Sequence, residues 1–232
     1  MTAAVTGART PARERLTRDR VLQAALEFTD AHGLAELSMP KLGAKLGVKG
    51  MSLYSHVDGK DGLLDGIVEI LSAEAEMPAA AGLDWRDALR RLARSLREVI
   101  RRHPAAAPLL VSRNVMPTRR LEVLDAYLQV LRHAGFGEDR ALDVLRTVYV
   151  YAQGYALAEV SYSGCAPGQG PGGPDDELSR MRRVTEMVPR DAPDHLLRLA
   201  MQFCGRCDMD DQFELGVDLM IRGLETECPH SP

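Results

Sequence analysis

The chain has 232 residues, 45% of them hydrophobic but only 5% aromatic, and its 29 Lys and Arg against 33 Asp and Glu leave a net charge of −4. That length allows one or two domains with a sizeable core, and an apolar set drawn mostly from Leu, Ala, Val and Met suits packed helices. No run of about 18 apolar residues exists, which excludes a membrane-spanning helix, and MTAAVTGARTPARERLTRDR holds no apolar h-region, so a cytoplasmic location is expected.

Residues 1–15 mix Ala, Arg, Pro and Gly without periodicity and read as a flexible basic arm. A first helix is expected over 17–31, where Val21, Ala24, Ala25 and Phe28 form an i, i+3, i+4, i+7 stripe that Gly33 ends. In SMPKLGAKLGVKGMSLYSHVDGK, residues 38–60, two short helices meet at a tight turn. Ser38 offers an N-cap hydroxyl to the orphan amides of the first, which runs through Leu42 and Leu46, and Pro40 suits a helix's first turn. Gly47 takes the positive φ of the turn, Val48 fills the angle, and a second short helix carries Ser52, Leu53 and Tyr54. Leu42, Leu46, Val48 and Leu53 point inward; Lys45, Lys49, Ser52, Tyr54, Ser55, His56 and Lys60 remain outside. A helix-turn-helix with that surface is suited to laying its second helix in the major groove of double-stranded DNA. Leu63, Leu64, Ile67, Val68 and Leu71 then continue a helix from about 60 to 76, and Met77-Pro78 with the Ala/Gly stretch to Gly82 mark a domain boundary.

Asp84 caps the next helix, with Leu89, Leu92, Leu96, Val99 and Ile100 on its buried side and His103-Pro104 at its end. A short helix over 105–113 and another over 118–134, closed by Gly135, follow. Residues 138–163 read as a long helix that is apolar on nearly every side, through Leu142, Leu145, Val148, Val150, Leu157 and Val160 among others, so more than one of its faces is expected to be covered. CAPGQGPGGPDD, residues 165–176, reads as a flexible loop. Helices over 194–205 and 210–227 close the chain, the last with a Phe213, Val217, Met220 and Leu224 stripe. No strand pattern competes. The expected fold class is all-α, with nine or ten helices: an arm (1–15), a three-helix helix-turn-helix domain (16–76) and a larger helical domain (84–228).

The pieces VLQAALEFTDAHGLAELSM, KLGAKLGV and LYSHVDGKDGLLDGIVEIL, between Leu16 and Leu71, resemble the DNA-binding domain of the TetR family of bacterial transcriptional regulators. The LGV turn and the LY-x-HV-x-x-K-x-x-LL ending are more similar to the tetracycline repressor branch than to the family at large. FELGVDLMIRGLE resembles the last helix of that branch's C-terminal domain. Charge agrees with a nucleic-acid partner at one end only. Residues 1–60 carry nine Lys and Arg against six Asp and Glu, a balance of +3, which leaves −7 for the rest.

Expected DNA contacts are Pro40, Lys49, Gly50, Met51, Ser52, Tyr54, Ser55, His56 and Lys60. Tyr54 and His56 resemble the family's backbone-contacting positions, although a half-buried packing ring and a helix-terminal cap are open alternatives for them. Lys60, at a helix start, can meet a phosphate together with free backbone amides. Gly50 and Met51 stand where the tetracycline repressor has a polar reader and a proline, so that relative's operator is not carried over. No Arg, Asn or Gln lies on this helix, which leaves Lys49 for guanine acceptors, Ser52 for either kind of base and Met51 for a thymine methyl. The arm is either a minor-groove contact or a solvated tail.

The resemblance implies a homodimer with a ligand cavity in each C-terminal domain, the heads about 34–36 Å apart over a palindrome, or a helical multiple of that spacing. The long helix and the last helix are expected to form a four-helix interface. Tyr149, Tyr151, Tyr155 and Tyr162 crowd the long helix, where they serve either an effector pocket or that interface. Pocket candidates are Trp85, His103, Met116, Tyr127, Tyr149 and Gln153, with a core or cap role the alternative for the first four, for a small-molecule effector the sequence does not name; tetracycline itself is not expected. An effector wedged between the middle helices would tilt the helix over 60–76 and spoil head spacing. The competing reading is a helix-turn-helix protein without small-molecule sensing, controlled by a protein partner or by abundance. Cys204 and Cys207 have the spacing of half a zinc site, but Cys165 and Cys228 stand alone, so neither metal nor cofactor is expected. No nucleophile elbow, phosphate loop or zincin spacing suggests an enzyme.

Overall fold

The computed structural model describes residues 15–78, 83–161, 191–204 and 209–226, with isolated positions between 182 and 189. Among them lie nine α-helices and no strand: α1 (Arg18–His32), α2 (Met39–Leu46), α3 (Gly59–Ala73), α4 (Trp85–Arg102), α5 (Leu109–Ser112), α6 (Thr118–His133), α7 (Glu138–Ser161), α8 (Asp194–Cys204) and α9 (Met209–Glu225). Leu34–Glu36 and Gly50–Ser55 are 3-10 helices. The all-α class is as expected. The arm through residue 14, Tyr162, the loop over 165–176, Cys165, Cys207 and Cys228 lie outside the described residues. No described helix is long and apolar enough to cross a membrane. The chain forms two compact units, Met1–Ile67 and Val68–Pro232, with the division inside α3.

In the first unit, the Thr17 hydroxyl accepts the Arg20 amide at 3.3 Å to start α1, and Gly33, at φ 85°, stops it with its N–H on Thr29 O. The buried stripe of α1 is wider than the four residues read from the pattern, since Leu22, Leu26 and Thr29 join it. Ser38 occupies the N-cap of α2, but its hydroxyl makes no capping bond, contrary to expectation. Pro40 accounts for part of this, because proline in the first turn has already removed one of the amide donors that a capping hydroxyl would serve. Gly47 closes α2 at φ 67°, with its N–H on Ala44 O at 3.1 Å and the Val48 N–H on Gly43 O at 2.9 Å. That pair of bonds is the Schellman motif, and its left-handed residue is why a glycine stands there. Leu42, Leu53, Leu63 and Ile67 are fully buried in this unit, whereas Leu46 and Val48, expected inside, are half-buried.

In the second unit, Asp84 Oδ1 accepts the Arg86 amide at 2.8 Å and caps α4. All five expected apolar residues of α4 are buried, and Leu89, Leu92 and Leu96 among them belong to a core that includes Tyr127, Val148, Phe213 and Ile221. The helix expected over 105–113 shrinks to α5. Residues 104–108 instead form turns on the His103 carbonyl, as Pro104 and Pro108 supply no amide to a helical ladder. The long helix α7 buries Ala141, Val144, Leu145, Val148, Ala152 and Ala156, while Val150 is 63% exposed. On α9, Leu215 and Leu219 are each 59% exposed, one turn apart.

Candidate functional site

The helix-turn-helix is held by an approach of backbone to backbone. A Cβ on Gly43 of α2 would stand 2.8 Å from Gly50 N and 2.9 Å from Val48 O. A Cβ on Gly50 would stand 3.1 Å from Met39 O. These two glycines, seven residues apart, let α2 and the next helix touch without side chains between them. Gly43 was missed from sequence, although its spacing from Gly50 was visible. Gly50, expected as a DNA contact, faces the backbone of Met39 and Pro40 and is half-buried.

The second helix is a 3-10 helix rather than an α-helix, with the Ser52 N–H on Lys49 O and the His56 N–H on Leu53 O, both at 2.9 Å. Its tighter winding turns Leu53 into the core, fully buried, and leaves Met51 77% and Tyr54 52% exposed. Lys49, Ser52 and Ser55 are exposed too, and the Ser55 hydroxyl donates to Ser52 O at 2.9 Å. His56 is half-buried as the C-cap, with its own N–H satisfied. Lys60 is exposed in the first turn of α3 and Pro40 in the first turn of α2.

The lysines divide into two kinds. Lys41 is bonded to Glu36, and Lys45, exposed as expected, pairs with Glu27 at 3.1 Å. Lys49 and Lys60 make no ion pair among the described residues. The exposed residues between Lys49 and Ser55, with Lys60 and Pro40, therefore offer cations, hydroxyls, an aromatic ring and a thioether.

The six pocket candidates stand in different surroundings. Trp85 is buried edge-on against Phe136 at 5.2 Å, under the Arg86 guanidinium at 4.5 Å, and its Nε1 has no hydrogen-bond partner among the described residues. Tyr127 is 1% exposed, and its hydroxyl donates to Glu76 O at 3.2 Å; burial holds its pKa well above the usual range. His103 caps α4, with its Nε2 3.1 Å from Glu74 Oε1. Met116 is 57% exposed. Tyr149 accepts from Arg120 Nε at 2.7 Å, and Gln153, one turn further along α7, is buried with its Nε2 unpartnered among the described residues. Of the other tyrosines, Tyr151 donates to Phe213 O and Tyr155 to Met209 O, so both bind α9 to α7.

Sequence reasoning missed an arginine ladder. Along α4, Arg86, Arg90, Arg94 and Arg97 pair with Glu225, Asp218, Glu214 and Asp210 of α9, in the inverse order of two antiparallel helices. Arg97 also forks onto Glu159 of α7 at 2.7 and 2.8 Å, with both side chains nearly buried, and lies 4.7 Å over the Phe213 ring. The spacing of four and three on α4 was a readable signal, but its partners are more than 60 residues away. A cavity of about 530 Å³ opens beside this ladder, lined by Arg94, Arg97, Arg101 and Arg102 with Asp210 and Glu214 among others. None of the six pocket candidates lines it. No group of three or more metal-ligating side chains is found among the described residues.

A family model described as tetracyclin repressor-like, C-terminal domain, matches residues 77–228. The chain is 34% identical over 146 residues to the HTH-type transcriptional repressor DrrR1 of Streptomyces coeruleorubidus, an alignment that takes in 62% of this chain and 54% of that protein. The chain thus spans little more than half the length of that relative. It is 28% identical over 215 residues to the tetracycline repressor protein class D of Escherichia coli, covering 92% of this chain and 91% of that one. Among solved structures, ActR of Streptomyces coelicolor in complex with actinorhodin superposes with a TM-score of 0.74 at 26% identity, over 93% of this chain and 100% of that one.

Proposed function

Because this chain belongs to the TetR family of transcriptional regulators, we propose that it is a DNA-binding repressor whose homodimer holds a palindromic operator and releases it when a small-molecule effector binds. The observation that carries the DNA-binding half is the exposed edge from Lys49 to His56, standing on a buried Leu53. Lys49 reads guanine acceptors, Ser52 a base edge and Met51 a thymine methyl. Tyr54, Ser55 and His56 meet the sugar-phosphate backbone, and Lys60 joins the first amides of α3 on one phosphate. Pro40 borders the same strand, and Gly50 acts by letting the 3-10 helix seat against α2.

The homodimer is supported by apolar side chains that this chain leaves uncovered: Leu142 and Val150 on α7, Leu215 and Leu219 on α9. Two copies of α7 and α9 would cover them in a four-helix interface. Effector control is supported by ActR having been solved with actinorhodin and, in this chain, by buried polar atoms of Trp85 and Gln153 left without partners.

Fluorescence anisotropy on duplexes from the DNA flanking the coding sequence tests the reading. One fragment is expected to bind in strong preference to random duplex. Lys49→Ala should weaken that binding by about 1–3 kcal/mol and lower its salt dependence. Equal affinity for random duplex would overturn it.

A further inference from the structure

The four arginines of α4 that line the cavity each face a carboxylate: Glu214 for Arg94, Asp210 and Glu159 for Arg97 and Arg101, Glu74 for Arg102. Arg120 differs. It lies on the inner face of α6, in line with Val123, Tyr127 and Leu131, and only 9% of it is exposed. Its Nε donates to the Tyr149 hydroxyl at 2.7 Å and its guanidinium lies 5.1 Å over that ring. No carboxylate is paired with it among the described residues. Burying a cation without an anion is costly, and a chain that retains one has either a use for it or a partner still to come.

The neighbouring polar groups are donors as well. Tyr149 accepts from Arg120 and so keeps its own proton to give, and burial holds that hydroxyl protonated by raising its pKa. Gln153, one turn on along the same face of α7, is 7% exposed with its Nε2 amide unpartnered among the described residues. A guanidinium, a phenol and an amide N–H, with no acid among them, match an anionic oxygen pair. Val123 and Tyr127, on the same face of α6 as Arg120, are buried in the core, so these donor groups stand at the edge of that core.

We propose that Arg120, Tyr149 and Gln153 form an anion receptor in the second unit, and that the effector is an organic acid whose carboxylate-type oxygens bind there. This rests on the effector-controlled reading above and adds the chemical class of the effector. The fork of Arg120 takes the two oxygens, and Tyr149 and Gln153 orient them.

The test uses the full chain and two fluorescent probes with the same aromatic body, 8-anilinonaphthalene-1-sulfonate and the uncharged N-phenyl-1-naphthylamine. The sulfonate is expected to bind about tenfold more tightly than the neutral probe, and Arg120→Met should bring the two within about twofold by weakening the sulfonate alone. Arg120→Lys should keep part of the preference, because it keeps the charge and loses the fork. In the probe-free protein, Arg120→Met should leave Tm unchanged or raise it, since an uncompensated buried cation is removed. A sulfonate preference that survives Arg120→Met overturns the receptor, and so does a wild-type chain that binds neither probe. Operator release is read separately by anisotropy at saturating sulfonate. If the preference is present and depends on Arg120 but operator affinity is unchanged, the receptor stands and the regulatory reading falls.

Discussion

In the unit ending at Ile67, Lys49 and Lys60 stand exposed without an acidic partner among the described residues, whereas in the unit that follows Arg86, Arg90, Arg94 and Arg97 each meet a carboxylate of α7 or α9. The first arrangement leaves charge available to phosphate. The second uses charge to join helices, through pairs 62 to 139 residues apart in the chain. Arg120, in the second unit, is a buried cation with no carboxylate paired to it among the described residues. Under the proposed reading, the open lysines of the first unit are for phosphate and the open Arg120 of the second is for an acid.

Removing the anion from the Arg97–Glu159 fork is the largest expected perturbation. Glu159→Gln should destabilise the second unit by about 3 kcal/mol, read as a shift in urea midpoint, because Arg97 would remain buried with only Asp210 opposite. A shift near zero would mean that this fork does not hold α4 to α7. Next comes the glycine contact. Gly43→Ala should cost about 1–3 kcal/mol and lower operator affinity, since its Cβ would stand 2.8 Å from Gly50 N, while the Glu159 network is untouched. Unaltered operator binding in a stable Gly43→Ala protein would remove the backbone contact from the DNA-reading geometry.

Smaller effects distinguish surface pairs from buried ones. Arg94→Ala should cost at most about 1 kcal/mol in spite of its two 2.7 Å bonds to Glu214, because both side chains are substantially exposed. A loss equal to that of Glu159→Gln would show the ladder acting as one network. The last effect develops in alkaline solution. Burial pushes the Tyr155 pKa up from 10.0 to about 12, so the folded state holds a proton that the unfolded state gives up sooner. Stability from this group is intact below pH 10 and lost as pH rises towards 12. Tyr155→Phe should flatten that decline in melts taken from pH 9 upward, while costing about 1 kcal/mol at pH 7 for the lost bond to Met209 O, and an unchanged decline would assign it to other groups.

The helices were legible because their signals are local. Gly33, Asp84 and Gly135 act within a few residues of themselves, and the end of α1, the start of α4 and the end of α6 fall within two residues of where those signals put them. Ser38 failed as a cap because the adjacent Pro40 removed a donor, an effect that intrinsic cap preference does not contain. For the candidate site, the exposed edge at Lys49–His56 was readable as polar residues around Leu53, but not the ion pairs that occupy Lys41 and Lys45. The pocket candidates were chosen by residue type, which picks out aromatics. Trp85 and Tyr127 are buried, in keeping with the core alternative read for them, and the unpaired Arg120 was overlooked because a cation's lack of a partner is a property of three dimensions.

The mass of the complex on a symmetric site tests most directly whether paired heads grip two halves of one duplex. Native mass spectrometry of the full chain on a palindromic fragment and on its isolated half should give two chains per full site, with the half-site bound far more weakly. One chain per full site, or equal affinity for the half, would contradict it.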